Sequence, residues 1–215
     1  MNEADRIKEV YARRDRAGKG ALYTLMNPAA LYAHHRREEA ILAALGREEV
    51  SSLEGARILD LGCGTGSVLR DFVRYGARPE NCFGLDLLPD RIERARALSP
   101  NMTFTCANGE ELPYGDASFD IVLCFTVFTS ILDGGMKRRL ADEMHRVLKP
   151  GGFILWYDYH MNNPRNPDVR GVGKREIGEL FARFSIVLRR VTLAPPLARL
   201  VAPMSTIACM AIEKL

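Results

Sequence analysis

The sequence predicts an α/β domain: a seven-stranded, mostly parallel sheet with an antiparallel closing strand and helices on both faces. Three observations predict it. From Arg57 onward, apolar runs of strand length alternate with runs of helical period. The first of these strands passes directly into a glycine-rich turn and a helix, the junction at which open parallel sheets bind ligands. The last two β-rich runs are separated by a segment too short for an ordinary helical crossover, which suits antiparallel pairing.

Taken in order, the first fifty residues carry helical stripes, with Ile7, Val10 and Tyr11 on one and Ile41, Leu42 and Leu45 on another. Gly18 to Gly20 and Asn27-Pro28 separate them, and residues 1–50 are expected to form a helical lid over a domain of residues 51–215, one compact domain in all. Strands are expected at Arg57 to Leu61, Cys82 to Asp86, Met102 to Cys106, Phe119 to Phe125 and Phe153 to Asp158. Helices are expected from about Ser67, from about Asp90, over Lys137 to Leu148 and over Lys174 to Phe184. Lys149-Pro150-Gly151-Gly152 reads as the turn into the fifth strand, and the closing pair is placed at Ser185 to Leu193 and Thr206 to Ile212.

Composition narrows the function classes. A length of 215 residues suits one α/β domain, and 30 Lys and Arg against 27 Asp and Glu leave a charge of +3, mixed along the chain. That balance predicts no nucleic-acid partner. Five cysteines without C-x-x-C spacing read as reduced thiols, and no metal site is expected. With no apolar run of spanning length and no export signal at the amino terminus, the expectation is a cytoplasmic protein with no membrane partner, monomeric or homodimeric.

The decisive stretch is Ile58-Leu59-Asp60-Leu61-Gly62-Cys63-Gly64-Thr65-Gly66-Ser67, a strand leading into glycines spaced G-x-G-x-G. Bare backbone at Gly62, Gly64 and Gly66 lets a flat ligand approach closely. The dinucleotide fingerprint needs G-x-G-x-x-G, and its third position is unfilled here. Asp60 would repel a diphosphate and welcome a ligand ammonium, which favours an amino-acid ligand. Asp86 and Leu87 close the second strand at the same edge, where a carboxylate can accept both ribose hydroxyls. Asn108-Gly109 follows the third strand and reads either as an adenine contact or as a plain turn; Phe125 reads as a ligand-packing ring or as core.

Jointly these pieces resemble the class I S-adenosylmethionine-dependent methyltransferases over roughly residues 55 to 160, along with Glu110 to Tyr114, Ser118-Phe119-Asp120-Ile121-Val122 and Arg146-Val147-Leu148-Lys149-Pro150-Gly151-Gly152. The resemblance implies a Rossmann-like fold, S-adenosyl-L-methionine as cofactor, and methyl transfer to a small-molecule O or N acceptor such as a sugar or secondary metabolite. Asn108 departs from the Asp that many relatives carry. The stretch Trp156-Tyr157-Asp158 with Asn162 to Pro167 is similar to a bacterial subgroup whose acceptors are poorly defined.

Beyond the fifth strand, His160 and Asp158 are the nearest candidates for a base, should the acceptor be a hydroxyl. Arg165 and Arg170 flank a Pro-Asn-Pro loop and can clamp an anionic acceptor, although simple solvation explains them equally well. Tyr32 and His35 are placed on the acceptor side of the lid. Two other readings stay open: an RNA or protein methyltransferase, against which stand the near-neutral charge and the absence of an N-P-P-Y type segment after strand four, and a non-catalytic S-adenosylmethionine-binding module.

Overall fold

The computed structural model describes residues 2–18, 24–164 and 166–213. The chain divides into two compact units, Met1–Val10 with Ser52–Ile186, and Tyr11–Ser51 with Val187–Leu215.

The first unit is built on five strands, β1 (Ile58–Leu61), β2 (Cys82–Asp86), β3 (Thr103–Cys106), β4 (Phe119–Phe125) and β5 (Leu148–Tyr157). They lie in the order β3-β2-β1-β4-β5, and every pairing is parallel. Burial explains the composition: β1 is buried at all four positions and β4 at six of seven, so both read as continuous apolar runs without alternation. The strand order reverses between β1 and β4, which puts the ligand crevice of such a sheet at their carboxyl ends.

Helix α1 (Glu3–Arg16) begins in the first unit and runs into the second, where α2 (Pro28–Arg47) follows with Asn27 as its N-cap. Helices α3 (Ser67–Arg74) and α4 (Pro89–Leu98) pack on β2, α4 also on β3, and α5 (Gly134–Val147) packs on β5 and on α6 (Lys174–Leu180). Gly66 in the left-handed region is the N-cap of α3 and makes no side-chain cap, so Ser67 opens that helix without capping it. The Lys149 to Gly152 turn lies inside β5 as a bulge: Phe119 pairs with Leu148, and pairing resumes between Ile121 and Phe153. A side chain at Gly152 would lie 2.7 Å from the Asp120 carbonyl, so the bulge can form only on bare backbone.

The second unit corrects the expected closing strand, and with it the strand count of seven. Thr206 to Ile212 lies within a helix, α8 (Thr206–Glu213), preceded by α7 (Pro195–Val201), and Ser185 to Leu193 forms no strand. Two local signals explain the outcome. Pro195-Pro196 supplies the fixed φ that starts a helix, and the Ser205 hydroxyl accepts from the Ala208 N–H at 3.1 Å, an N-cap bond. With its expected partner helical, Ser185 to Leu193 has no ladder to join. The core of this unit gathers Ala29, Tyr32, Ala198, Ala202 and Cys209.

Back in the first unit, Arg146 ties the segment after β3 to α5. Its guanidinium donates to the Leu112 and Tyr114 carbonyls at 3.1 and 2.8 Å and to the carboxylates of Asp116 and Glu143, while Glu143 accepts from the Leu112 N–H at 2.6 Å. Only a planar fork can serve four acceptors in this way. We expect Arg146→Ala to cost about 1 to 2 kcal/mol, because two backbone carbonyls lose their partners at a half-exposed site. The melting temperature should fall by about 2 to 6 °C, and Arg146→Lys should not restore it. An unchanged melting temperature would show that the segment holds itself.

Candidate functional site

The site assembles at the carboxyl ends of β1, β2 and β4. Directly after β1 the N–H groups of Gly62 and Cys63 both donate to the Leu85 carbonyl, at 2.8 and 3.0 Å, which staples the glycine loop to β2. The loop then turns through positive φ at Gly62, Gly64 and Gly66. Gly64 differs from the other two in its surroundings. A Cβ at Gly62 would meet Val127 and one at Gly66 would meet the Phe104 ring, but at Gly64 it would meet no atom within 4 Å. Protein fills the space over two of the glycines and leaves open the space over the third.

Asp86 faces that opening. Its Oδ2 accepts from the Gly64 N–H at 2.8 Å and its Oδ1 from the Leu88 N–H at 2.9 Å, so one carboxylate fixes both the glycine loop and the start of α4. Each oxygen retains a second lone pair for a ligand hydroxyl. At 7 % exposure, burial pushes the carboxyl above the ordinary carboxylate range, and the two backbone donors work against that rise. Leu87 follows, half-buried.

Asp60 lies wholly buried within β1, at 1 % exposure. Cys63 is buried in the loop itself; burial first, then the charges of Asp60 and Asp86, push its thiol far up, so it stays a neutral thiol and is no nucleophile. Of the five cysteines only Cys106 is exposed.

Asn108 is held by Glu110, donating through Nδ2 to Oε2 at 2.7 Å and accepting the Glu110 N–H at 3.2 Å. A Cβ at Gly109 would lie 2.6 Å from a terminal methyl of Leu140, so that side chain would have to shift. Asn108 and Glu110 line a cavity of about 530 Å³ together with Asp133, Met136, Arg139 and the chain's own start at Asn2, Glu3 and Ala4. That first turn of α1 is fastened to the segment after β4: Glu3 accepts from the Leu132 N–H at 2.5 Å and pairs with Arg6, which donates to the Ser130 carbonyl at 2.6 Å. The Arg6 guanidinium holds the Glu3 carboxyl below its ordinary range.

Phe125, at the end of β4, is buried with its ring 5.9 Å from that of Tyr157. The next residue escaped the sequence reading. Thr126 has φ +59°, uncommon for a β-branched residue, with its N–H donating to the Tyr157 carbonyl at 2.7 Å. This kink carries Val127 over Gly62.

Asp158 closes β5 by accepting from the Thr129 N–H at 3.0 Å, the Thr129 hydroxyl at 2.6 Å and the Tyr159 N–H at 2.9 Å. Burial raises its carboxyl above the usual range, against those bonds and the field of Lys137. His160 is exposed on the loop that follows. Arg170 pairs with Glu176 at 3.3 Å, and Arg165 lies outside the described residues.

The structure therefore brings Gly62, Gly64, Gly66 and Asp86 together around one opening. Tyr32 belongs to the second unit, where it is buried, its hydroxyl donating to Glu213 at 2.6 Å and accepting from the Leu193 N–H at 3.3 Å. Burial and the neighbouring Glu213 push that phenol well up. His35 is exposed on α2.

These residues fit S-adenosylmethionine. An open backbone cradle at Gly64 beside a buried carboxylate suits a ligand that combines an amino-acid tail with a ribose. Among the described residues no cluster of His, Cys, Asp and Glu could hold a metal ion, and no helix is long and apolar enough to cross a membrane.

Comparison with known proteins points the same way. Residues 59–156 match the model of a family described as a methyltransferase domain. A ubiquinone/menaquinone biosynthesis C-methyltransferase of Rhizobium etli is 34% identical over 145 residues, which cover 64% of this chain and 54% of that protein. A glycine/sarcosine/dimethylglycine N-methyltransferase of Actinopolyspora halophila is 31% identical over 153 residues, 69% of this chain and 25% of that one. The chain thus spans about half the length of the first relative and a quarter of the second. Among solved structures, the YcgJ protein of Bacillus subtilis shares the fold with a TM-score of 0.60 at 22% identity, over 84% of this chain and 83% of that one.

Proposed function

We propose that this chain, whose residues 59–156 form a class I S-adenosylmethionine-dependent methyltransferase domain, transfers a methyl group to an O or N atom of a small-molecule acceptor by in-line displacement. The observation that carries the proposal is the pairing of Gly64 with Asp86: an uncovered stretch of backbone whose own N–H is held by the carboxylate at its rim. S-adenosylmethionine supplies an already electrophilic methyl carbon, which leaves alignment and exclusion of water to the protein.

In this reading the Gly64 backbone takes the amino-acid tail with Asp60 while Gly62 and Gly66 shape the loop around it, Asp86 takes the ribose hydroxyls with Leu87 beside it, and Asn108-Gly109 with Phe125 borders the base. Asn108 keeps one carbonyl lone pair beyond its bond from Glu110, enough to accept from an adenine amino group. For a hydroxyl acceptor His160 is a better base than Asp158. Asp158 already accepts three hydrogen bonds, whereas His160 stands exposed beyond the same sheet edge. Arg170 is paired with Glu176, so it would meet an anionic acceptor only in competition with that carboxylate.

The similarity to a C-methyltransferase supports a second reading, in which the acceptor atom is an activated carbon. Both readings are tested by incubating the protein with methyl-labelled S-adenosylmethionine and a fractionated small-molecule pool. Labelled product together with S-adenosylhomocysteine is expected, and the position of the label separates O, N and C acceptors. Tight binding of S-adenosylhomocysteine without turnover on any pool would point to a binding module, and label in RNA or protein to the macromolecular reading. Stabilisation by NADH in place of S-adenosylhomocysteine would overturn the cofactor.

A further inference from the structure

Among the described residues Lys137 is the only buried lysine or arginine, at 0 % exposure. It stands in the first turn of α5, where the partial positive charge of the helix end opposes a cation. Helix formation does not account for it, and neither does packing, because an unpaired buried ammonium is strongly unfavourable. Its surroundings do account for it.

The Nζ donates to Glu176 Oε1 at 2.7 Å, and the same oxygen pairs with Arg170 at 3.3 Å. The Arg170 backbone N–H donates to the Thr129 carbonyl at 2.9 Å. Thr129 is in turn gripped by Asp158 through its N–H and its hydroxyl, and the Lys137 charge acts on that carboxylate. Lys137 therefore heads a chain of contacts that passes through Glu176 to Arg170 in the loop after β5 and on to Thr129 in the segment after β4 that follows the Thr126 kink.

That loop is closed at its neck. The Val172 N–H donates to the Tyr159 carbonyl at 2.9 Å and the Gly171 N–H to the Asn162 side chain at 2.9 Å. A Cβ at Gly171 would lie 2.6 Å from Met161 and 2.8 Å from the His160 carbonyl carbon, so the two limbs touch backbone to backbone. We propose that Lys137 is a positioning residue: by holding Glu176, and through it Arg170, it locks residues 126–130 to residues 159–164 and 166–172 as one wall on the acceptor side, with His160 on its rim. The role as a wall for the acceptor rests on the methyl-transfer reading; the locking itself does not.

The test uses the full chain with Lys137→Met, Glu176→Gln and the two combined. In Lys137→Met, amide hydrogen exchange at Thr129, Arg170 and Val172 should quicken by at least about tenfold, with β1 and β2 unchanged. S-adenosylhomocysteine affinity should stay within about threefold while labelled product falls by about thirtyfold, a loss confined to the acceptor side. The double variant removes both charges of the Lys137–Glu176 pair, so its melting temperature should return towards wild type while the loop amides stay fast. If the double variant recovers loop protection along with its melting temperature, or if exchange in Lys137→Met is unchanged, Lys137 is a core charge and the proposal is overturned. Should Lys137→Met fail to fold, the double variant decides alone. A wild-type protein that makes no labelled product defeats the methyl-transfer reading, and the exchange data still settle the lock.

Discussion

Asp86→Ala should weaken S-adenosylhomocysteine binding by well over tenfold. The carboxylate is asked to do two things, to hold the ribose hydroxyls in the proposed complex and to hold the Gly64 and Leu88 N–H groups in the protein itself. Charge-assisted bonds of this kind contribute about 1.5 to 3 kcal/mol each, so losing even one accounts for the tenfold loss. Asp86→Asn should be nearly as damaging, because an amide has one accepting oxygen for two backbone donors and turns an N–H₂ towards the other. Acidity gives an independent check. Burial raises the Asp86 carboxyl, so binding should weaken as pH falls through a window above the usual carboxylate range, and Asp86→Asn should flatten that response. Stability runs the other way for the same group. A carboxyl raised on folding binds more protons folded than unfolded, so its contribution is present at low pH and is lost as pH rises through the folded value. Calorimetric titrations between about pH 4 and 8 measure the first slope, and thermal denaturation over the same range measures the second. Equal affinity for wild type and Asp86→Ala would remove Asp86 from the site.

The glycine loop and its carboxylate were legible because their causes are local. A strand followed by bare backbone and an acidic strand end leave a mark within a few residues, and runs of apolar residues place all five strands of the sheet, although the fifth begins at Leu148, ahead of the expected Phe153. What escaped depends on contacts far along the chain. Thr126 takes a left-handed conformation although nothing in Cys124-Phe125-Thr126-Val127 demands it; the Tyr157 carbonyl, thirty-one positions away, holds it there. Lys137 looks like one member of a solvated Lys-Arg-Arg run, and only Glu176 on α6 shows why it is buried. The bonds that hold Asp158 were not legible because its partner Thr129 precedes it by a whole helix. The closing strand failed for another reason. Thr206 to Ile212 is a short apolar run whose composition suits strand and helix alike, and the deciding cap at Ser205 lies just outside the window that was read as β.

Two loop glycines allow cofactor binding to be separated from folding. Gly64→Ala should abolish measurable S-adenosylhomocysteine binding while leaving the protein folded. At φ +54° an alanine costs about 1 to 2 kcal/mol of backbone strain, and its methyl meets no protein atom within 4 Å. A melting temperature lowered by about 2 to 8 °C is expected from that strain alone. The methyl would project into the space where the ligand's tail is proposed to lie against backbone, an overlap that a tightly fitted ligand cannot absorb. Gly66→Ala should behave in the opposite order. Its φ is also positive, but the added Cβ would stand 2.8 Å from the Phe104 ring and 3.4 Å from Arg70, so the strain falls on the packing between α3 and β3. That variant should melt lower than Gly64→Ala and lose affinity only as far as its loop is displaced. Measuring melting temperature and affinity for both variants therefore gives two rankings that cross. If the rankings run parallel, so that affinity simply follows stability, the ligand does not rest on Gly64, and the open backbone there is only a turn.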